Sequence, residues 1–178
     1  MAEPLRQREP PRPYEELVEA MYAHLRRVAD DRVRRVGARP TFDATDLVHD
    51  CWLKLHAAPE YGDLSRDEFL ALSSRIIRNV LVDKARQRNA KKRGGDRHRL
   101  SLHEDLVVGG GPEVDLLDLD DALARLEGLD PDQARIVELR FFGGLTNEEV
   151  AQTLGVTRHR VSDEWAMARA WLQRELSR

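Results

Sequence analysis

Cysteine occurs once in the 178 residues, at Cys51, so no internal disulfide can form and the chain suits a reducing compartment. Aromatic residues make up only 6%, which points to small aliphatic cores. No run of ~18 apolar residues is present, so no membrane span is expected. The opening MAEPLRQREPPRP has charges and four prolines where a secretory leader needs apolar residues. Residues 1–13 are therefore read as a flexible tail, and the location as cytoplasmic.

Signatures of catalysis and of metal binding are also missing. The glycines at 109–111 are not followed by Gly-Lys-Ser/Thr and no strand precedes them, so they read as spacer rather than phosphate cradle. His49 and His56 lie seven apart on one helix, but Cys51 points elsewhere at this spacing and no CxxC or HxxxH exists. Asp118, Asp120 and Asp121 lack the glycine and the closing glutamate of a calcium loop. No nucleophile stands with a base. Neither an enzyme, nor a cofactor, nor a bound metal is expected.

Charge is abundant, at 34% of residues, and it is segregated behind a formal net charge of -3. Residues 84–99 hold eight cations against Asp96, a balance of +7, and residues 100–130 hold nine acids against Arg125, a balance of -8. Blocks of like charge serve as solvated segments or as interaction surfaces.

Apolar spacing predicts helices throughout. In the first, Leu17, Met21, Leu25, Val28 and Val36 recur at helical intervals, with Gly37 as a stop. A second begins near Thr45 as its cap and carries Leu47, Val48, Cys51, Trp52 and Leu55, ending before Pro59. Ser65 and Glu68 form a capping box for a third, whose stripe is Phe69, Leu72, Ile76, Val80 and Ala85, and which dissolves at Gly94 and Gly95. Residues 94–117 are rich in glycine and acid and read as a flexible linker. Beyond it Leu119, Leu123 and Leu126 make one stripe, and Pro131 opens a helix closed by FFGG. No strand signal is found. The predicted fold is all-α, two small helical bundles (14–93 and 118–178) on a tether.

The strongest local signal is TNEEVAQTLGVTRHRV. Thr146 and Glu149 make a capping box, Ala151 is small where two helices approach, and Gly155 sits where a sharp turn needs positive φ. Val150, Leu154, Val156 and Val161 fill the angle of a helix-turn-helix. Val161, Trp165, Ala168 and Leu172 face the core, which leaves Arg158, His159, Ser162, Asp163 and Ala166 toward a major groove. Asp163 either accepts from cytosine or, with Glu164, is merely solvated. Residues 131–178 contain seven acids and seven arginines, so this unit lacks a cationic grip of its own and something else must bring it to DNA.

DATDLVHDCWLKL, FLALSSRIIRNVLVDKARQRNAKKRGG and LDPDQARIVELRFFGGLTNEEVAQTLGV, in that order, resemble a bacterial sigma factor of the extracytoplasmic-function (ECF) class. The resemblance implies a region 2-like domain, a linker and a region 4-like domain carried on core RNA polymerase. It implies contact of Asp46, Leu47, Val48, Asp50, Trp52, Leu53 and Lys54 with the clamp helices of the largest subunit, and contact of the second domain with the flap of the second-largest. Toward the minus-10 box it implies Arg78, Asn79, Asp83 and Arg86, with Lys91, Lys92 and Arg93 on phosphates. Tyr61 either stacks on a flipped base or packs its loop. Toward the minus-35 box the matching positions are Thr157, Arg158, His159, Arg160, Ser162, Asp163, Ala166 and Arg169. The acidic linker either threads the polymerase channel or keeps the tether extended. Promoter DNA and an anti-sigma factor or other regulator are the implied partners, with no membrane. An autonomous helix-turn-helix regulator, and a relative that binds polymerase without reading promoters, are the competing readings.

Overall fold

The computed structural model describes residues 22–24, 26–28, 44–57, 64–91, 99–100 and 114–177. Of the first expected helix, residues 22–24 and 26–28 are helical and Val28 is buried; the rest of that prediction, and the stops at Gly37, Pro59 and Gly94, lie outside the described residues.

Helix α1, Ala44–His56, has Thr45 in its first turn. Its inner side is Leu47, Val48, Cys51 and Leu55, all at or below 3% exposure. Helix α2, Arg66–Lys91, starts at the predicted capping box: the Ser65 hydroxyl accepts from the Glu68 amide at 3.3 Å, and the Ser65 amide donates to the Glu68 carboxylate at 2.8 Å.

Unlike an ordinary surface helix, α2 is buried on more than one face. Besides Phe69, Ile76, Val80 and Ala85, it buries Leu70, Ser73, Ser74, Ile77, Leu81 and Val82. A helix apolar most of the way round sits between two partners. Those partners are α1 on one side and the C-terminal half of the chain on the other.

Across residues 94–117 the expected structureless linker is closed by a short ladder. Arg99–Leu100 (β1) pairs antiparallel with Val114–Asp115 (β2), Arg99 opposite Asp115 and Leu100 opposite Val114. Two residues per strand are too few to show alternation, which is why no strand was legible. Asp115 then caps α3, Leu116–Leu129, by accepting from the Leu117 amide at 2.9 Å. Leu119, Leu123 and Leu126 are buried as predicted.

Asp130 caps α4, Pro131–Val137, with Pro131 in its first turn. The chain then widens into a π-helical turn, Glu138–Phe142, where the Gly143 amide bonds the Glu138 carbonyl at 3.1 Å. Gly144, at φ 64°, reverses the chain. A Cβ on Gly143 would overlap the Ser74 hydroxyl of α2 and lie 2.5 Å from the Leu139 carbonyl oxygen. The π turn and α2 therefore touch backbone to side chain.

Helix α5, Asn147–Leu154, has the complete Thr146/Glu149 capping box and ends at Gly155, φ 65°, with the Val156 amide on the Ala151 carbonyl at 3.0 Å. Helix α6, Arg158–Leu176, is capped by Thr157 and buries Val161, Trp165, Ala168 and Leu172. The predicted helix-turn-helix is thus present. Helix α2 also packs against α3, the π turn and α5, so the buried apolar residues of both halves form one core cluster.

Replacing Thr146 by Ala removes the acceptor of the Glu149 amide and leaves that donor unanswered at the start of α5. The expected loss is about 1 kcal/mol, seen as a lower urea midpoint with an unchanged slope.

Candidate nucleic-acid and partner interfaces

On α1 the seven residues expected against the polymerase divide. Leu47 and Val48, 1% and 3% exposed, are packed in the core of the free chain. Asp46 is exposed, Leu53 is 56% exposed, and Trp52 is half-buried with its ring edge-on to Tyr22 at 6.1 Å between centroids. Asp50 meets Lys84 at 2.5 Å and Lys54 meets Asp83 at 2.8 Å, so α1 is clasped to α2 by two ion pairs. Asp83, expected against DNA, is thereby tied to Lys54, expected against the polymerase. Burial first, and Asp50 second, push the Cys51 thiol up to about 12.

Along α2, Asn79 is exposed, whereas Arg78 is engaged within the chain. Its side chain is 14% exposed, and its guanidinium is held by the Asp120 carboxylate at 2.9 Å and the Glu138 carboxylate at 3.4 Å. Arg86 reaches the same Asp120 at 3.2 Å. Glu138, 7% exposed, also accepts from Arg135 at 2.9 Å. Sequence reasoning missed Asp120 and Glu138 as partners; the opposed +7 and -8 blocks were a signal for the Arg86–Asp120 pair, while Arg78 and Glu138 lie outside both blocks. Lys91 ends α2, while Tyr61, Lys92 and Arg93 lie outside the described residues.

In the helix-turn-helix, Thr157, Arg158, His159, Arg160, Ser162, Asp163 and Ala166 are exposed and Arg169 is half-buried. The arginines of the first turn already have acids, and His159 has a carboxylate neighbour. Arg158 meets Glu148 of α5 at 2.8 Å, His159 meets Asp163 at 2.9 Å, and Arg160 meets Asp132 of α4 at 2.9 Å. Glu164 turns inward instead, accepting from the Gln133 amide at 3.0 Å. Behind this face Arg140 stacks over Trp165, 4.5 Å from the ring centre, and donates to Asn147. The exposed face is therefore polar, electrically neutral and backed by a packed core, a surface that can read base edges but holds phosphates weakly.

His24 lies where the N-terminal helical residues meet the π turn, between Arg27, Glu149, Arg66 and the Gly143 backbone. Burial first, then Arg27, lower its pKa to about 4. The Arg27 guanidinium donates to Nδ1 at 3.1 Å, so a proton arriving there would displace a cation. Among the described residues no helix is long and apolar enough to cross a membrane, and no cluster of His, Cys, Asp and Glu could hold a metal ion.

A helical chain whose C-terminal helices form a complete helix-turn-helix has the architecture used for docking a helix in a DNA groove. More narrowly, the chain matches the ECF sigma factor family over residues 11–178, and it belongs to that family, whose role is in transcription initiation. Among solved structures it is similar to the sigma factor RpoE from Bartonella quintana, crystallised with the anti-sigma factor NepR: 22% identity over 92% of this chain and 96% of that one, TM-score 0.43. Comparison with curated proteins finds no match.

Because the folded pKa of His24 is depressed, its contribution to stability is complete above the unfolded value of ~6.5 and is lost as pH falls toward 4. Between pH 7.5 and 5 the loss is about 2 kcal/mol. Urea titrations at the two pH values should show that loss in the wild type and a smaller one in His24→Asn.

Proposed function

We propose that this chain is an initiation specificity factor that binds core RNA polymerase and directs it to promoters through a minus-10 and a minus-35 element. The observation that carries the reading is the exposed, neutral face of α6, with Arg158, His159, Ser162 and Asp163 set on a rigid helix-turn-helix. A neutral reader discriminates bases but gains little from phosphates, so its affinity must come from a host. That same neutrality counts against an autonomous regulator.

Asp46, Asp50, Trp52, Leu53 and Lys54 supply the polymerase-docking patch, with Leu53 as its apolar anchor and the acids facing a basic partner. Arg78, Asn79, Asp83 and Arg86 supply the minus-10 surface, joined by Tyr61, Lys91, Lys92 and Arg93. Thr157, Arg160, Ala166 and Arg169 complete the minus-35 set. The second domain meets the flap of the second-largest subunit. The residues supply no chemistry of their own in this reading. A protein inhibitor of the anti-sigma class is a further partner that the family resemblance implies.

Run-off transcription with purified core polymerase, on promoters selected from random fragments by the reconstituted holoenzyme, tests the proposal. Specific transcripts that depend on the added chain are expected. Binding to core without any specific transcript, or tight binding to specific duplexes by the chain alone, would overturn it.

Two substitutions separate the roles. Leu53→Asp should weaken binding to core polymerase by about 2 kcal/mol while the urea midpoint of the free chain hardly moves. Arg158→Ala should lose ~1–3 kcal/mol on particular minus-35 sequences only, whereas Lys92→Ala should weaken binding to all sequences and flatten its salt dependence.

A further inference from the structure

One side chain of the π turn touches both helices of the helix-turn-helix. The Arg140 guanidinium lies over the Trp165 ring of α6, 4.5 Å from its centre, and through Nη1 it donates to the side-chain oxygen of Asn147, the first residue of α5. Its backbone has little freedom, because Leu139 and Phe141 on either side are buried and its carbonyl accepts from the Gly144 amide at 3.1 Å. The indole is fixed as well, since Trp165 belongs to the buried stripe of Val161, Ala168 and Leu172. Two other contacts tie α6 to α4, Arg160 to Asp132 and Glu164 to Gln133. The Arg160–Asp132 pair is exposed at both ends and so is screened by water. Arg140 is half-buried, and a guanidinium stacked on an indole is held more firmly as its cation leaves water.

We infer that Arg140 is a positioning residue for base reading: by stacking on Trp165 while bonding Asn147, it sets the angle of α6 against α5, and with it the reach of Ser162, Asp163 and Ala166 into the groove. The inference rests on the minus-35 reading proposed above and adds to it a residue that touches no DNA. Trp165 stands two residues after Asp163 and one before Ala166, so a tilt of α6 at the indole is carried to both exposed positions by the rigid helix. Hydrogen bonds to base edges weaken steeply as they lose alignment. Phosphate contacts carry no sequence information of their own. A tilted α6 therefore loses discrimination while its sequence-blind affinity stays. Lysine cannot take the place of Arg140, because an ammonium lacks the planar fork that stacks on a ring and donates sideways at once.

The test compares the full chain with Arg140→Lys, Arg140→Met, Trp165→Leu, Trp165→Phe and the double variant Arg140→Met/Trp165→Leu, at a temperature where circular dichroism shows each one folded. In the free chain, residual dipolar couplings of the amides give the orientation of α6 relative to α5. In the holoenzyme with core polymerase, the ratio of affinities for promoter fragments with selected and with scrambled minus-35 sequences gives the discrimination. Arg140→Lys, Arg140→Met and Trp165→Leu should each reorient α6 and lower that ratio roughly fivefold to tenfold, with affinity for the scrambled fragment unchanged. Trp165→Phe, which keeps an aromatic face, should retain most of the ratio. The double variant should be no worse than either single change, because both act through one contact. Single variants that lose stability yet keep the wild-type α6 orientation and ratio, or losses that add in the double variant, would overturn the inference and leave the function standing. A wild-type holoenzyme that does not distinguish the two fragments would remove the proposed function. In that event an α6 that still turns when Arg140 or Trp165 is changed supports the clasp, and an unmoved α6 overturns it.

Discussion

At the junction of the two halves, the Arg78 guanidinium is taken largely out of water and answered by Asp120 and Glu138, at 2.9 and 3.4 Å. A half-buried ion group of this kind stabilises little net of desolvation, yet losing one partner is costly because an uncompensated charge stays behind. It therefore acts mainly as a register. It fixes which face of α2 meets α3 and the π turn, and the apolar contacts of Ile77, Leu81, Leu139 and Phe142 supply the burial around it. The remaining structure follows from that placement: α2 must be apolar on two sides, Gly143 must lack a side chain, and His24 must be enclosed.

Much of this was legible in the sequence wherever local chemistry decides the structure. The Ser65 and Thr146 capping boxes, the left-handed Gly155, the Leu119, Leu123, Leu126 stripe and the four inward residues of α6 are each set by a spacing of three or four. What escaped depended on contacts distant in the chain. Ile77 and Leu81 fall off the stripe chosen for α2, and their meaning depends on a second packing partner more than thirty residues further on. A π turn has no simple apolar period, and the β1–β2 ladder has only two residues per strand. On α1, Leu47 and Val48 match a docking motif by residue type but lie on the inner face in the free chain.

The site was legible in a similar, partial way. Exposed positions of the helix-turn-helix followed from its heptad-like burial, since a helix with one buried face must show the other. Their neutralising partners did not, because Glu148 and Asp132 come from other helices. The puzzle of adjacent acids in a reading helix resolves by geometry: Glu164 turns inward to Gln133, and Asp163 stays at the surface beside His159.

Conditional binding follows from these pairings as a matter of competition. A phosphate approaching α6 must displace Glu148 or Asp132 from an exposed arginine, an exchange of one screened ion pair for another that yields little free energy. A phosphate approaching α2 must displace Asp120 and Glu138 from a half-buried one, which requires the halves to part and their shared apolar surface to meet water. Neither exchange is favourable for an isolated chain, for opposite reasons: the first gains too little, the second costs too much. A host that binds the exposed side of α1 and holds the two halves apart would remove the second cost before DNA arrives. The Lys54–Asp83 and Asp50–Lys84 pairs put the exposed side of α1 in direct electrostatic contact with α2, so a partner engaging α1 would be felt by α2.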